Sequence, residues 1–547
     1  MLSRATRLLL DGIIVVSGAL ALLIAVTGGV DYELGILRLR AHVWWRPLSL
    51  LTIAAATRIW LLPLGVEQVA ARGFLALLLA AAATYGEHHV RACGGLDSYG
   101  YVSASRAIAS GTLIEPQPLA ALLPFPEGAR AAAPLGWVVG RDGTSRVPRF
   151  PLGLPIVMAV FQLFGPEGPL FVPLLMALGT VAVVYAACRD SGTQSAALFG
   201  AAIVAVNPVF FDLAIQPMSD VPAAFWLTAA AWLALIRQRH PFVAGLWAGM
   251  ALLTRPVLLP GVLTMVALSI SQRKYRVRFA AVVLAFMLVL FAVNQALYGN
   301  PWASGYGDSS HLFELSRAGT NAVVYAKWLT YVLTPAFWVA WAAAFLVMRR
   351  STWAWRVSSV AMAAALPYLF YIVYDDWEAL RFLLPGIVLG TIVIATGLDS
   401  LLGSYLHSSA RAVILLLLAL ACGYASHQYL ERHRVFDLER AEAKYPLLGR
   451  WLAEHTPPGA VIFAALHSGS IRYYGSRETI RWDEMPSGTV ADSVRALRAA
   501  GRVTFLAIDT PSEAQPFNAR FGAELAELSM MPAGRVREIN VWELQIR

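Results

Sequence analysis

Residues 273–298 read RKYRVRFAAVVLAFMLVLFAVNQALY: a basic cluster, Arg273-Lys274-Tyr275-Arg276-Val277-Arg278, runs directly into about twenty mostly apolar residues. Twenty residues of helix rise about 30 Å, the thickness of a bilayer's hydrocarbon core. The Leu, Ala and Val of this stretch lack the alternation of a barrel strand, so the segment predicts a membrane helix whose basic end faces the cytoplasm. Read outward from this segment, the chain repeats the pattern. Of its 547 residues, 58% are hydrophobic and only 14% charged, more apolar sequence than a soluble interior can hide. Candidate membrane helices lie near 8–29, 48–64, 72–86, 170–188, 195–213, 221–236, 241–254, 257–271, 279–298, 329–348, 357–374, 382–402 and 411–429, about thirteen in all. The first, which follows Arg4 and Arg7, reads as an uncleaved signal anchor in preference to a cleaved signal peptide.

Charge fixes the orientation. With the N-terminus inside, the cytoplasmic turns receive Arg189, Arg237-Gln238-Arg239, the 273–278 cluster, Arg349-Arg350 and Arg411. Shifting the parity by one puts all of them outside, against the positive-inside bias. The net charge of +9 is therefore a membrane signature, and no basic stripe with interleaved aromatics points to nucleic acid. Cys93, Cys188 and Cys422 are far apart, with no CxxC and no metal-type spacing.

This topology leaves four pieces outside: a loop at 31–47 with room for a short strand pair, a Pro- and Gly-rich loop at 87–150, a loop at 299–328, and a C-terminal region from Asp437. The short apolar run 152–164 breaks the parity if it spans, so it is expected to be a juxtamembrane or re-entrant helix. After Asp437 an amphipathic helix near 438–454 leads to the strand VIFAAL (461–466). The helical ADSVRALRAAG (491–501) and the strands VTFLAID (503–509) and INVWELQI (539–546) follow. The expected organisation is a transmembrane domain, 1–436, and an extracytoplasmic α/β domain, 437–547. No glycine-rich phosphate loop occurs in it.

Ionisable groups near a bilayer are costly and call for a reason. Asp97 lies in GGLDSYGY (94–101), where Gly94 and Gly95 permit a tight turn and Tyr99 and Tyr101 offer rings that suit a sugar or an interface. Asp220 lies in QPMSDVP (216–222) between two apolar helices. Either carboxylate can serve as a helix N-cap or do chemistry. Arg149 precedes FPLGLP, Arg255 stands at a sharp turn in LLTRPVLLP, and Arg381 lies in DDWEALRFLLP. A guanidinium holds phosphate through a planar fork, but it can equally snorkel to headgroups or pair with a nearby acid, and for Arg381 the neighbours Asp375, Asp376 and Glu378 are at hand. That acidic trio is a weak metal signal, and His88 and His89 read as interfacial.

Taken in order and sidedness, these motifs resemble the GT-C superfamily of integral membrane glycosyltransferases, nearest in style to protein O-mannosyltransferases and lipid A aminoarabinose transferases. The resemblance rests on LDSYGY, RFPLGLP, QPMSDVP, LWAGMALLTRP (246–256) and RFLLP (381–385), with YPLLGRWLAEHTPPGAVIF and IRYYGSRETIRW in the C-terminal part. It covers the chain from about residue 85 onward. Three expected helices precede the Asp97 loop, two more than in the simplest members, and Ser98 follows Asp97 where members often carry a second acid. The resemblance implies an inner-membrane enzyme that takes a sugar from a polyprenyl-phosphate donor and passes it, with inversion, to a hydroxyl of a glycan, lipid or protein acceptor at the extracytoplasmic face. Asp97 would be the general base, with Tyr99, Arg149, Asp220, Arg255 and Arg381 as substrate-binding residues and no metal or other cofactor. A polytopic transporter is the rival reading; it predicts charges near the midplane and an internal repeat, and neither is visible.

Overall fold

The computed structural model describes residues 66–547 apart from 270–272, 308–310 and 350, together with two strands and a few separate positions ahead of residue 58. The expected helices at 8–29 and 48–64, and the signal-anchor reading, lie outside the described residues. Val30–Leu34 and Leu37–Ala41 pair antiparallel, as the 31–47 loop allowed.

The rest of the membrane part is helical. Among the described residues five helices are long and apolar enough to cross a membrane: Gly168–Ser191, Asp220–Arg237, Arg273–Tyr298, Trp377–Gly403 and Ser408–Arg432. Two bent pairs raise the number to seven. Three apolar helices, Gly153–Phe164, Pro241–Thr254 and Pro256–Leu268, are shorter. The first, second and fourth of the long helices form the packed centre, where Val181, Val184, Leu227, Ala234, Val388 and Ile392 are all but inaccessible. Arg273–Tyr298 is peripheral and leaves Val277, Leu284, Leu288 and Val289 exposed, the surface expected of a helix solvated by lipid. This is a membrane protein.

The bends have local causes. Gln194–Val206 and Pro208–Ala214 meet at 64°, where Pro208 removes a backbone donor and the Asn207 side chain accepts from Phe210 N at 3.1 Å, starting a new helix. Two sequence expectations fail here: the single helix expected at 195–213 is this bent pair, and a second is broken in the same way. The single helix at 329–348 is in fact two, Ala318–Leu333 and Ala336–Met348, bent by 100°. Pro335 cannot continue the first helix, and Thr334 before it leaves the helical region altogether, with φ +66°.

The 87–150 segment folds into the Asp97–Ser110 helix and a small three-stranded sheet in the order Glu115–Pro116, Ser145–Pro148, Trp137–Val139. Beyond residue 437 a five-stranded sheet runs in the order Glu478–Ile480, Val461–Phe463, Thr504–Asp509, Ile539–Ile546, Leu528–Val536, the first three parallel and the last two antiparallel. These pieces are not independent. Leu119, Leu123, Ala131 and Ala132 share a core with Ile480, Trp482, Phe517 and Phe521.

Candidate active site

Asp97 is the first residue of its helix, and the preceding Gly95 turns the chain with φ +60°. The helix is seated by glycines. A Cβ on Gly100 would strike the Phe150 ring at 2.5 Å, and one on Gly136 (φ +81°) would lie 2.6 Å from Gly100 Cα. Gly111, left-handed at φ +71°, ends it. Asp220 likewise opens a helix, the one running to Arg237. Neither carboxylate makes a side-chain capping bond to its own helix. Both are turned to arginines.

Arg381 joins the two acids: its Nη2 donates to Asp97 Oδ2 at 2.8 Å and its Nε to Asp220 Oδ1 at 3.1 Å. Arg255 donates from Nη2 to the same Asp220 oxygen at 2.6 Å and from Nε to Ser219 Oγ at 3.2 Å. Tyr101 OH completes the arc by donating to Ser219 Oγ at 2.8 Å. Asp220 is wholly inaccessible, whereas the Asp97 and Arg381 side chains are each about a quarter exposed, at 24% and 22%. The group is neutral, two carboxylates against two guanidinium ions. Asp97 is the more open of the two acids, and the buried Asp220 is the one that contacts both guanidinium groups. Burial raises the Tyr101 and Tyr306 phenols well above their usual range, so both act as neutral hydrogen-bonding groups.

Four of the expected residues, Asp97, Asp220, Arg255 and Arg381, therefore converge. Arg149 lies nearby, its guanidinium over the Tyr306 ring at 5.5 Å, and Tyr306 touches Phe150, which touches Tyr101. Tyr99 does not join them. Two residues along a helix turn about 200°, so Tyr99 faces away from Asp97 and packs with Trp137, under Gly469 of the C-terminal region. Tyr101, four residues from Asp97, shares its face and takes the place expected of Tyr99. Sequence reading also missed Ser219 and Tyr368, the latter beside Arg255. The local acids do not hold Arg381: Asp375 pairs with Lys327 at 2.7 Å, and Asp376 accepts from Glu378 N at 3.2 Å. His89, expected at an interface, is buried against Phe171. Among the described residues no group of three or more His, Cys, Asp or Glu is placed to hold a metal ion.

The charges of the opposite pole gather separately. Arg237 pairs with Asp190 at 2.6 Å, Arg411 with Asp399 at 3.1 Å, and Thr193 donates to Asp399 at 2.9 Å. The helix from Asp220 to Arg237 spans 18 residues, so about 27 Å separates the acid–arginine cluster from this basic end.

The profile of a family described as dolichyl-phosphate-mannose-protein mannosyltransferase matches residues 147–296. ArnT from Cupriavidus metallidurans in its apo state superimposes with a TM-score of 0.58 at 15% identity, over 87% of this chain and 98% of that one. The same protein bound to undecaprenyl phosphate gives 0.55 at 13% identity, over 86% and 97%. The archaeal oligosaccharyltransferase AglB from Archaeoglobus fulgidus, in complex with an inhibitory peptide and a dolichol-phosphate, gives 0.50 at 13% identity, over 84% and 72%. No curated protein matches the chain by sequence. The resemblance to integral membrane glycosyltransferases of the GT-C superfamily thus holds at the level of fold.

Proposed function

We propose that the protein transfers a sugar from a polyprenyl-phosphate donor to an acceptor hydroxyl at the extracytoplasmic face of the inner membrane, with Asp97 as the base. The observation that carries this reading is the single guanidinium of Arg381 bound at once to the partly exposed Asp97 and the buried Asp220. The acceptor oxygen attacks the anomeric carbon opposite the phosphate and loses its proton to the Asp97 carboxylate. As the new C–O bond forms, the bond from the anomeric carbon to the phosphate oxygen breaks, and the electron pair leaves with the phosphate. The configuration inverts. A phosphate monoester is a stable anion, so it needs cations and no general acid. The N–H groups of Arg255 and Arg381 not engaged with Asp220, Asp97, Ser219 and Tyr368 supply that charge, at a membrane edge where low dielectric strengthens it.

Binding of undecaprenyl phosphate by ArnT and of dolichol-phosphate by AglB, proteins of the same fold, supports a lipid-linked donor. The basic clusters in alternate turns support a bundle of about thirteen helices with the cluster and the region after 437 outside. In purified protein given polyprenyl-phosphate sugars, Asp97→Asn should lower turnover by about 10²–10⁴-fold, and Arg255→Gln with Arg381→Gln should weaken donor binding. Near-normal turnover by a folded Asp97→Asn variant, or transfer from a nucleotide sugar without lipid carrier, would refute the reading.

A further inference from the structure

A cavity of about 480 Å³, within the size range of small-molecule sites, is joined to the acid–arginine cluster through the aromatic stack Tyr306, Phe150 and Tyr101. Three separate parts of the chain build it: the 130–149 stretch, the loop at 298–307, and residues Arg481 and Glu484 of the C-terminal region. Its walls are aromatic, with Trp137, Tyr298 and Tyr306, and its floor is the small-residue run Ala303-Ser304-Gly305-Gly307, interrupted only by Tyr306. That floor lies tight on Arg149, for a Cβ on Gly305 would meet Arg149 O at 2.1 Å.

The charges of this cavity are not balanced. At the outer rim Arg130 pairs with Glu484, and Arg481 pairs with Asp483 and Glu484, two cations against two anions. Among the described residues Arg149 has neither a carboxylate partner nor a hydrogen-bond acceptor for its Nε. A half-buried guanidinium with no counter-ion beside it favours an incoming anion. Arg149 is also the wall shared with the catalytic side, since Tyr306 under its guanidinium packs on Phe150 and through it on Tyr101, the residue on Asp97's face.

We infer that this cavity is the acceptor site, and that the acceptor is a glycan carrying an anionic group, phosphate or carboxylate, which Arg149 binds while the aromatic walls hold the sugar ring. The assignment rests on the glycosyltransferase reading above. It adds what that reading leaves open, the chemical class of the acceptor. An anion anchored on Arg149 places a neighbouring sugar hydroxyl toward Asp97, with the donor phosphate on the other side at Arg255 and Arg381.

The test is calorimetric titration of the full-length protein in detergent with N-acetylglucosamine 1-phosphate, glucuronic acid, neutral N-acetylglucosamine and inorganic phosphate, and separately with undecaprenyl phosphate. The wild type should bind at least one charged sugar more tightly than the neutral sugar and more tightly than phosphate alone, and the two charged probes distinguish phosphate from carboxylate. Arg149→Gln should weaken that binding about tenfold or more, Arg149→Lys should restore part of it, and Ala303→Trp, which fills the cavity, should abolish it. Undecaprenyl phosphate binding should survive all three and be lost in the Arg255→Gln/Arg381→Gln double variant. Absence of charged-sugar binding to the wild type, equal binding of the neutral sugar, or an unaffected Arg149→Gln overturns the acceptor assignment. Loss of no lipid binding in the double arginine variant instead overturns the donor reading.

Discussion

Replacing Asp220 with Asn tests whether one buried carboxylate holds the active-site cations in place. Its Oδ1 takes Arg255 at 2.6 Å and Arg381 at 3.1 Å, and the residue has no exposed surface. Asn keeps an acceptor oxygen, so both contacts survive as ordinary hydrogen bonds, each worth about 1–2 kcal/mol less than a charge-assisted one. The amide group must then occupy the place of Oδ2, which has no partner in the fold, and an unmet buried donor adds about 1 kcal/mol or more. The expected loss is roughly 3–5 kcal/mol, the range found for breaking a buried ion pair by removing one member. Asp97→Asn should behave differently. That pair is about a quarter exposed, and Arg381 keeps Asp220, so the loss should stay near or below about 1 kcal/mol. Reversible unfolding in mixed micelles of rising SDS fraction, followed by far-ultraviolet circular dichroism, measures both. A double-mutant cycle of Asp220→Asn with Arg255→Gln should show coupling of about 1–3 kcal/mol. If Asp220→Asn lies within about 0.5 kcal/mol of wild type, or costs no more than Asp97→Asn, the carboxylate is not what organises the two arginines.

The legible parts of this molecule were those whose signal is local and long. Apolar runs the length of a bilayer mark the helices at 172–191, 273–298, 384–403 and 408–432, and the apolar strands at 461–463, 504–509 and 539–546 declare themselves in the same way. Strand Leu528–Val536 escaped notice because LSMMPAGRV contains Pro and Gly. As the edge of its sheet it can afford Pro532, whose missing N–H disturbs no inner ladder. Strand Glu478–Ile480 is three residues long and carries no pattern of its own. At the site, charge beside apolar helices singled out Asp97, Asp220, Arg255 and Arg381, yet their pairing was out of reach. Arg381 has three acids within six residues and chooses partners 161 and 284 residues away, because helix packing, which no local pattern encodes, decides which ends meet. Two features lay within reach of local rules. Helical spacing sets Tyr101 with Asp97 and turns Tyr99 away, and Pro335 marks a break inside 329–348.

Three further expectations test how the surrounding structure holds the site. Gly136→Ala should cost about 2 kcal/mol or more and depress turnover, since its Cβ would press on Gly100 Cα behind Asp97; Gly143→Ala, also left-handed (φ +73°) but with nothing within 4 Å, should cost only the backbone's share of about 1 kcal/mol and spare activity. Tyr474→Phe removes the oxygen that accepts from Cys93 N at 2.9 Å, leaving that donor unmet four residues before Asp97. It should destabilise by about 1–3 kcal/mol and lower kcat more than it alters donor binding, whereas unchanged kcat would show that this contact does not position the base. The last concerns acid. Asp509 is buried at the end of its strand, with Lys444 at 2.8 Å and His467 at 3.3 Å, and their hydrogen bonds, that of His467 first, hold its carboxyl down to about 2. A carboxyl whose pKa is lower in the folded than in the unfolded chain stabilises the fold fully above the unfolded value near 4, and that contribution disappears as pH falls through about 2. Hydrogen-exchange protection of the 504–509 strand should therefore decline between pH 4 and 2 in the wild type. In Asp509→Asn protection should be lower throughout and flatter across the same interval. An identical pH profile in the two proteins would mean that Asp509 is not the group whose protonation loosens this sheet.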